Sequence, residues 1–519
     1  MEQRKIQLSL NNPTPVLYPD VDRGTIIFGQ GGTEPEQPKL IWLENAIVSG
    51  YGIKSLGYSV FSTESLPAVP TFSFTKLLLV SDVSGREGLY YCAGTPNVGH
   101  YVFDSGSAVW DTVSTASDTN TSTYPTTTFI NGVSYTFKPN FGLFTFDTGF
   151  TAITVATVQG ITMTSMSGVC AGLDYLIAWD SSTVYWSAPG TPLDFRPTVS
   201  SVSTGAGSSV PQALRGLITK CVQIPSGFII YGTVNAVSAR YSGNSLNPWI
   251  FEEIPGSSGL SLVNQFVGKG ITTPSHFVFA DAGLQEVTID RATNILPEIS
   301  NFLAACRFVT SDHDGTFTKG VVAFTLPNIV LVAERYLCVS YKTSDAGTSY
   351  SHILVWDLLL KGWGLIAMDH YDIFDFQSFA SINVSSVLFA SPGDLGIWTT
   401  SGHLRVVYLS FNDKTGLSIP ITAMTGELIW SDFALTSSST CTVTEVEFAI
   451  DAADGISSTL HDLPFIDNTI YGTEIAFTEY PANSGQYVQE VTGDSHRLRL
   501  SGQFDISAAF VTLVQRGPR

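Results

Sequence analysis

One pattern governs how this chain can fold: an apolar strand, a short polar turn and a second strand, written repeatedly. Its clearest copy is LIAWDSSTVYWSAPGTPLDF at 176–195. Leu176, Ile177 and Trp179 run into Asp180, Ser181 and Ser182 turn the chain, and Val184, Tyr185 and Trp186 resume it. Strand formers on both sides of a polar turn predict a β-hairpin. HYVFDSGSAVWDTV (100–113), LFTFDTGFTAITVA (143–156), HFVFADAGLQEVTID (276–290), ILVWDLLLKGWGLI (353–366) and LGIWTTSGHLRVVY (395–408) share the plan, and a looser copy, GFIIYGTVNAVSARY, occupies 227–241. The turn-start residues Asp104, Asp147, Asp180, Asp281 and Asp357 lie 43, 33, 101 and 76 residues apart, with the looser copy inside the widest gap. That spacing clusters near the ~40–50 residues of a propeller blade. Units of this size cannot bury their apolar faces alone, so neighbours must stack to make a core. The expected fold is an all-β propeller of six or seven blades.

The 519 residues exceed one ordinary domain. Residues 1–75 read as N-terminal lead-in strands, including QLSL, TIIFG and PKLIWLENAIVSGYGIKSLGYSVF (38–61). The propeller is expected at 76–410. Short strands near 441–450, 470–478, 486–491, 496–501 and 508–515, separated by turn residues, predict a C-terminal antiparallel β-sandwich over 420–519. Residues 112–128 hold eight Thr and three Ser. Without apolar periodicity they read as an exposed loop. Trp110, Trp179, Trp186, Trp356 and Trp363 are expected between sheets, where aromatic side chains dominate packing.

Only 13 % of residues are charged, against about a quarter in typical chains. Few charges favour large buried subunit interfaces, where charged residues are depleted, or else a monomer with a big core. The formal charge of −20 argues against binding nucleic acid through neutralised phosphates, which needs a basic face. It suits a wall along which DNA slides without sticking, or an outer surface kept soluble. MEQRKIQLSLNNPTP lacks the apolar core of a signal peptide. The longest apolar run, VVAFTLPNIVLVA (321–333), is too short to span a membrane and is broken by Pro327. Cys92, Cys170, Cys221, Cys306, Cys338 and Cys441 form no CxxC pair, and each lies in or beside an apolar run, so they read as reduced, buried thiols.

The chain contains no HExxH, Walker A, GxGxxG or GxSxG motif. MDHYDIFDF (368–376) gathers Asp369, His370, Asp372 and Asp375, a possible divalent-metal or general-acid cluster. The preferred reading is a polar blade-connecting turn. TSDHDGTF (310–317) and TSDAGTSY (343–350) resemble the Asp-box turns of sialidase-type propellers, with Phe317 and Tyr350 in place of tryptophan. Such turns need Asp and Gly for folding. A sialidase site would add clustered arginines, whereas those of the propeller are dispersed. Trp–Asp pairs at 110–111, 179–180 and 356–357 resemble WD-type repeats without the upstream Gly-His, and read as blade packing. The expectation is a non-enzyme with no catalytic, cofactor-binding or metal site.

DYLIAWDSSTVYWSAPGTPLDFRP (174–197) resembles a signature of tail proteins from short-tailed bacteriophages, the tail hub or nozzle group that includes packaged-DNA stabilisation proteins. Tyr185, Trp186, Ser187, Pro192, Asp194 and Phe195 carry the likeness. LENAIVSGYGIKSLGYSVF (43–61) is similar to the group's N-terminal lead-in, HILVWDLLLKGWGLI (352–366) to its late-blade hairpin, and LRLSGQFDISAAFVTLVQRGPR (498–519) to its last sandwich strands. The resemblance implies a structural virion protein, assembled in the host cytoplasm into a homo-oligomeric, hexameric ring below the portal and adaptor proteins. It also implies neighbouring tail fibre, spike or needle proteins, and a lumen through which DNA passes without sequence-specific binding. No catalytic residues or cofactors come with it. The alternative is a glycan-binding or glycosidase-like β-propeller.

Overall fold

The computed structural model of the chain describes residues 3–10, 26–27, 37–49, 52–62, 76–93, 98–104, 109–118, 125–260, 267–269, 274–297, 307–311, 317–321, 328–341, 349–375, 394–409, 421–435, 439–450, 457–466, 470–471, 474–480 and 484–518. The fold is all-β, with short 3-10 turns at Thr148–Phe150 and Met163–Ser165.

Blade 1 is the antiparallel meander Leu78–Ser81, Glu87–Ala93, Val98–Asp104 and Val109–Asp118. Blade 2 runs Thr126–Ile130, Val133–Lys138, Gly142–Phe146 and Ile153–Val155. Its first turn places Asn131 and Gly132 at φ 53° and 80°, the left-handed pair a two-residue hairpin requires. Blade 3 runs Gly168–Gly172, Tyr175–Trp179, Val184–Trp186 and Gly207–Ser209. Blade 4 is Ile218–Ile224, Gly227–Gly232, Ala236–Tyr241 and Trp249–Glu253. Blade 5 is Val267–Lys269, His276–Ala280, Gly283–Val287 and Ala292–Asn294. A hairpin, Arg307–Ser311 with Phe317–Val321, follows it.

Blades 6 and 7 share a strand. Asn328–Val332, Tyr336–Tyr341 and Tyr350–Asp357 pair onto the first half of Trp363–Asp375. The second half of that strand opens blade 7, followed by Asp394–Thr399 and Leu404–Tyr408. The fourth strand of blade 7 is Gly57–Ser62, from the N-terminal lead-in. Among the described residues the propeller therefore has seven blades, and a strand from the other end of the chain closes its seam.

The ring is closed in its packing as well. Strand side chains alternate between faces, so each blade offers one set to each neighbour. In blade 3, Cys170, Tyr175, Ile177, Trp179, Val184 and Trp186 meet blade 4, while Val169, Ala171, Leu176 and Ala178 meet blade 2. Successive clusters join blades 1 and 2, 4 and 5, 5 and 6, and 6 and 7. At the seam Leu77, Leu89, Tyr91, Phe103 and Trp110 of blade 1 pack on Tyr371, Phe374, Trp398, Leu404 and Val406 of blade 7. The five expected tryptophans are buried, none more than 9 % exposed.

The C-terminal sandwich also draws on both ends of the chain. One sheet pairs Gln3–Leu8, Asp505–Pro518, Ser439–Ile450, Gln486–Gly493 and Thr478–Glu479. The other pairs Leu40–Glu44, Gly426–Trp430, Ser495–Gln503 and Ser457–Ile466. The expected lead-in at 1–75 does not stand apart: its strands are divided between the sandwich and blade 7. Ala46–Ser49 pairs with both Gly52–Ser55 and the shared strand, and one apolar cluster runs from blades 5 and 6 through Trp42, Trp356 and Trp363 into the sandwich.

The Thr/Ser-rich stretch at 112–128 differs from the expected loop. Val109–Asp118, the outer strand of blade 1, and Thr126–Ile130, the inner strand of blade 2, are both strands, because β-branched threonine suits a pleated sheet. Residues 119–124 lie outside the described residues, as do the Asp-box-like turns at 312–316 and 342–348.

Candidate functional site

The first strands of the blades surround the propeller axis, and around it lies a cavity of about 590 Å³. Its wall is mostly aliphatic, with Leu77–Leu79 from blade 1, Ile329–Leu331 from blade 6, and Ile373 and Phe374 from blade 7. Lys76, Gln223, His276 and Asp375 add polar groups to the lining.

The polar centre beside this cavity is Asp372, which is fully buried. Its carboxylate accepts hydrogen bonds from the backbone N–H of Leu77 (2.5 Å) and of Ile373 (2.9 Å), and from the Asn328 amide. Lys76 reaches the Asn328 carbonyl oxygen at 3.5 Å. Burial raises the Asp372 carboxyl to about 6, even though Lys76 and these donors favour its charged form. Lys76 is lowered by the same desolvation, with Asp372 opposing it. Lys220, on the first strand of blade 4, falls to about 7 through burial and repulsion from Lys76. Both lysines are partly exposed as residues, yet their ammonium groups are surrounded by protein. Three hydrogen bonds and a facing ammonium engage the Asp372 oxygens. The arrangement is a strut that ties blades 1, 6 and 7 at the axis.

The 368–376 cluster is therefore not a connecting turn: up to Asp375 it lies within the shared strand. The strand does not bring its four polar side chains together. Asp369 is exposed, Asp375 is half-buried at the cavity wall, and Asp372 points into the strut. His370 is fully buried; its Nδ1–H donates to the Met368 carbonyl (2.6 Å) and Nε2 accepts from the Ser340 hydroxyl (2.7 Å). A carbonyl can only accept, which fixes the neutral tautomer. Burial lowers this histidine to about 4. Among the described residues no three His, Cys, Asp or Glu side chains are grouped to hold a metal ion. Lys76 and Lys220 escaped the sequence reading. Their signal was a lone lysine inside an apolar run, TKLLLV and ITKCVQI.

The segment 174–197 has its own tight architecture. Asp180 accepts from the N–H of Ser182 and Thr183 (both 2.8 Å) and from the Tyr185 hydroxyl (3.0 Å). Burial opposes the charge of Asp180, but these donors outweigh it and lower its pKa. The Trp186 indole donates to the Gly205 carbonyl (3.0 Å), and the Ser187 hydroxyl accepts from the Leu176 N–H (3.0 Å). The exit is locked by Asp194, which receives Arg196 Nε and Nη2 at 2.9 and 2.8 Å, while Phe195 is buried between blades 2 and 3. Asp357, of the last Trp–Asp pair, caps its turn through the N–H groups of Leu359 and Leu360 and is paired with Arg335.

No helix among the described residues is long and apolar enough to cross a membrane. No protein-family model matches this chain, and no curated protein is similar to it. Solved structures do align with it. The WD40 β-propeller domain of Doa1 covers 70 % of this chain and 99 % of its own at 8 % identity and a TM-score of 0.37. YCF48 bound to D1 peptide covers 68 % and 99 %, at 11 % identity and 0.37. U3-55K covers 66 % and 100 %, at 8 % identity and 0.35. At these scores the alignments say nothing of this chain's role, and the propeller rests on its own strand pairing and seven interblade clusters.

Proposed function

We propose that this chain is a structural subunit of a short-tailed bacteriophage tail, a hub or nozzle protein that forms a closed hexameric ring around the DNA path. The observation that carries the reading is the resemblance of 174–197 to that group's signature, a segment whose turn and exit are each fixed by a buried or paired side chain. The other resembling segments fall where the two parts of the molecule join. Residues 43–61 lead from the sandwich into blade 7, 352–366 form the blade 6 hairpin beneath the sandwich, and 498–519 form its long strands. A subunit under axial load benefits from such a joint, since neither part can swing freely.

In this reading the portal and adaptor lie above the ring, and fibre, spike or needle proteins adjoin it. The subunit works in the virion after assembly in the host cytoplasm, without catalysis or cofactor. The excess of 45 acidic over 25 basic residues keeps the lumen from holding phosphates, so the genome is retained and released without sequence-specific contact. Native mass spectrometry and negative-stain micrographs of the full chain test this. The expected result is a closed ring with a central hole. A stable monomer that binds oligosaccharides would instead support a glycan-binding propeller and overturn the proposal.

A further inference from the structure

Two cysteines lie on either side of one blade interface. Cys170 lies on the first strand of blade 3 and Cys221 on the first strand of blade 4, and these strands are in contact around the axis. The alternation of side chains sends both thiols into the same apolar cluster, where they are 5 % and 4 % exposed. There burial, and after it the Cys170 thiol, raises Cys221 above its ordinary range, which makes the two thiols electrostatic neighbours. Among the other described cysteines, Cys92, Cys338 and Cys441 fall in three different clusters. The fold thus prepares one particular pairing.

We propose that Cys170 and Cys221 are a latent disulfide staple between blades 3 and 4, closed by exchange with a small-molecule disulfide. In the first step one thiolate attacks a sulfur of the reagent, forming a mixed disulfide and expelling one small thiolate. The second cysteine then attacks the mixed disulfide through its own thiolate and expels the second small thiolate. The two protons lost by the protein thiols end on the expelled thiolates. The protein is oxidised by two electrons, and the reagent is reduced to two thiols.

Burial sets the rate rather than the outcome. Desolvation and the neighbouring thiol hold Cys221 well above its ordinary range, so little thiolate forms while the interface is closed. Exchange must wait for blades 3 and 4 to part briefly. Once formed, the bond would close a loop of 221 − 170 = 51 residues and restrict the unfolded chain. A subunit folded in a reducing compartment and later held in an oxidising one would gain this cross-link without refolding. The staple belongs to the blade interface and does not depend on what the subunit assembles into.

The test uses the full chain and oxidised glutathione, in two arms. In one the native protein is incubated for hours near pH 8; in the other it is unfolded and refolded in a glutathione redox buffer, where every thiol is accessible. Free thiols are then alkylated and the digest is mapped by mass spectrometry. The expected result is a Cys170–Cys221 linked peptide as the dominant cross-link, an upward shift of Tm by several degrees, and reversal of both by dithiothreitol. Cys170→Ala and Cys221→Ala should each abolish the shift, and either alone should accumulate the glutathione adduct. If the refolded protein carries both cysteines reduced, or each as a separate glutathione adduct, the proposal is overturned.

Discussion

Two buried histidines, one in the propeller and one in the sandwich, take opposite charge states for reasons visible in their partners. His370 of the shared strand sits between a carbonyl and a serine hydroxyl, and burial lowers it to about 4. His496 of the sandwich is equally buried, and burial alone would lower it too. Its Nδ1–H meets the Asp462 carboxylate at 2.6 Å and its Nε2–H the Cys441 carbonyl at 3.1 Å, and these raise it to about 10. With an acceptor at each nitrogen, this ring is an imidazolium. Asp462 lies on the neighbouring strand and Cys441 in the opposite sheet, so the charge ties the two sheets together. Arg497 with Asp432 and Arg499 with Glu427 add further pairs in the same region. The blades are joined chiefly by neutral aromatic and aliphatic clusters, with the Asp372 strut added at the axis, whereas the sandwich carries its buried imidazolium between its two sheets.

The sharpest way to break this contrast is to remove one anchor from each region. Trp398→Ala deletes a fully buried ring that touches Tyr91, Trp110 and Tyr371 at the seam. It should cost about 3–5 kcal/mol. Asp462→Ala strands a buried imidazolium and should cost about 3–5 kcal/mol near neutral pH. Hydrogen exchange should place the first loss in blades 1 and 7 and the second in Ser439–Ile450, Ser457–Ile466 and Ser495–Gln503. Their pH dependence should also differ. The raised His496 contributes stability that is complete below its unfolded value of 6.5 and is lost as pH rises through about 10. The Asp462→Ala deficit should therefore shrink at high pH, while the Trp398→Ala deficit stays flat.

His370 should produce the reverse slope. Its folded form binds fewer protons than the unfolded chain between about 4 and 6.5, so stability falls as pH drops through that window. In His370→Gln this part of the acid slope, about 2 kcal/mol, should disappear from denaturant titrations at pH 4.5 and 7. Glu44, at the sandwich edge that leads into blade 6, is raised from 4.5 to about 7 by burial and by the Glu427 carboxylate paired opposite it. A raised carboxyl weakens the fold as pH climbs from 4.5 through 7. Glu44→Gln should gain about 1 kcal/mol at pH 8 and nothing at pH 4, read from the same titrations. An effect of the same small size belongs to an exposed turn. Asp180→Ala should cost about 1 kcal/mol by freeing the N–H groups of Ser182 and Thr183.

What the sequence made legible was whatever is local. The hairpins of blades 1 to 6 show as strand, Asp or Gly turn, strand because their partners lie a few residues apart. Gly57–Ser62 gave no such signal, since its partner strand lies near residue 405 and nothing in GYSVFS specifies that pairing. The carboxylates of 368–376 misled for the same reason. Asp372 looks like a solvated turn residue until Leu77, Asn328 and Lys76 arrive from elsewhere in the chain to meet it. In 112–128 the hydroxyls masked the strand preference of threonine.

The closing strand has a consequence for how the protein is made. Gly57–Ser62 leaves the ribosome early, yet Leu404–Tyr408, which it must join, emerges 404 − 62 = 342 residues later. At ordinary elongation rates of 5–20 residues per second that wait is roughly 20–70 s, during which the early strand has no partner in blade 7. Gln3–Leu8 waits longer still, for Asp505–Pro518. Premature termination thus leaves both seams open, and an interrupted chain exposes bare strand edges that invite clearance or aggregation. Completeness of translation is checked by the topology itself.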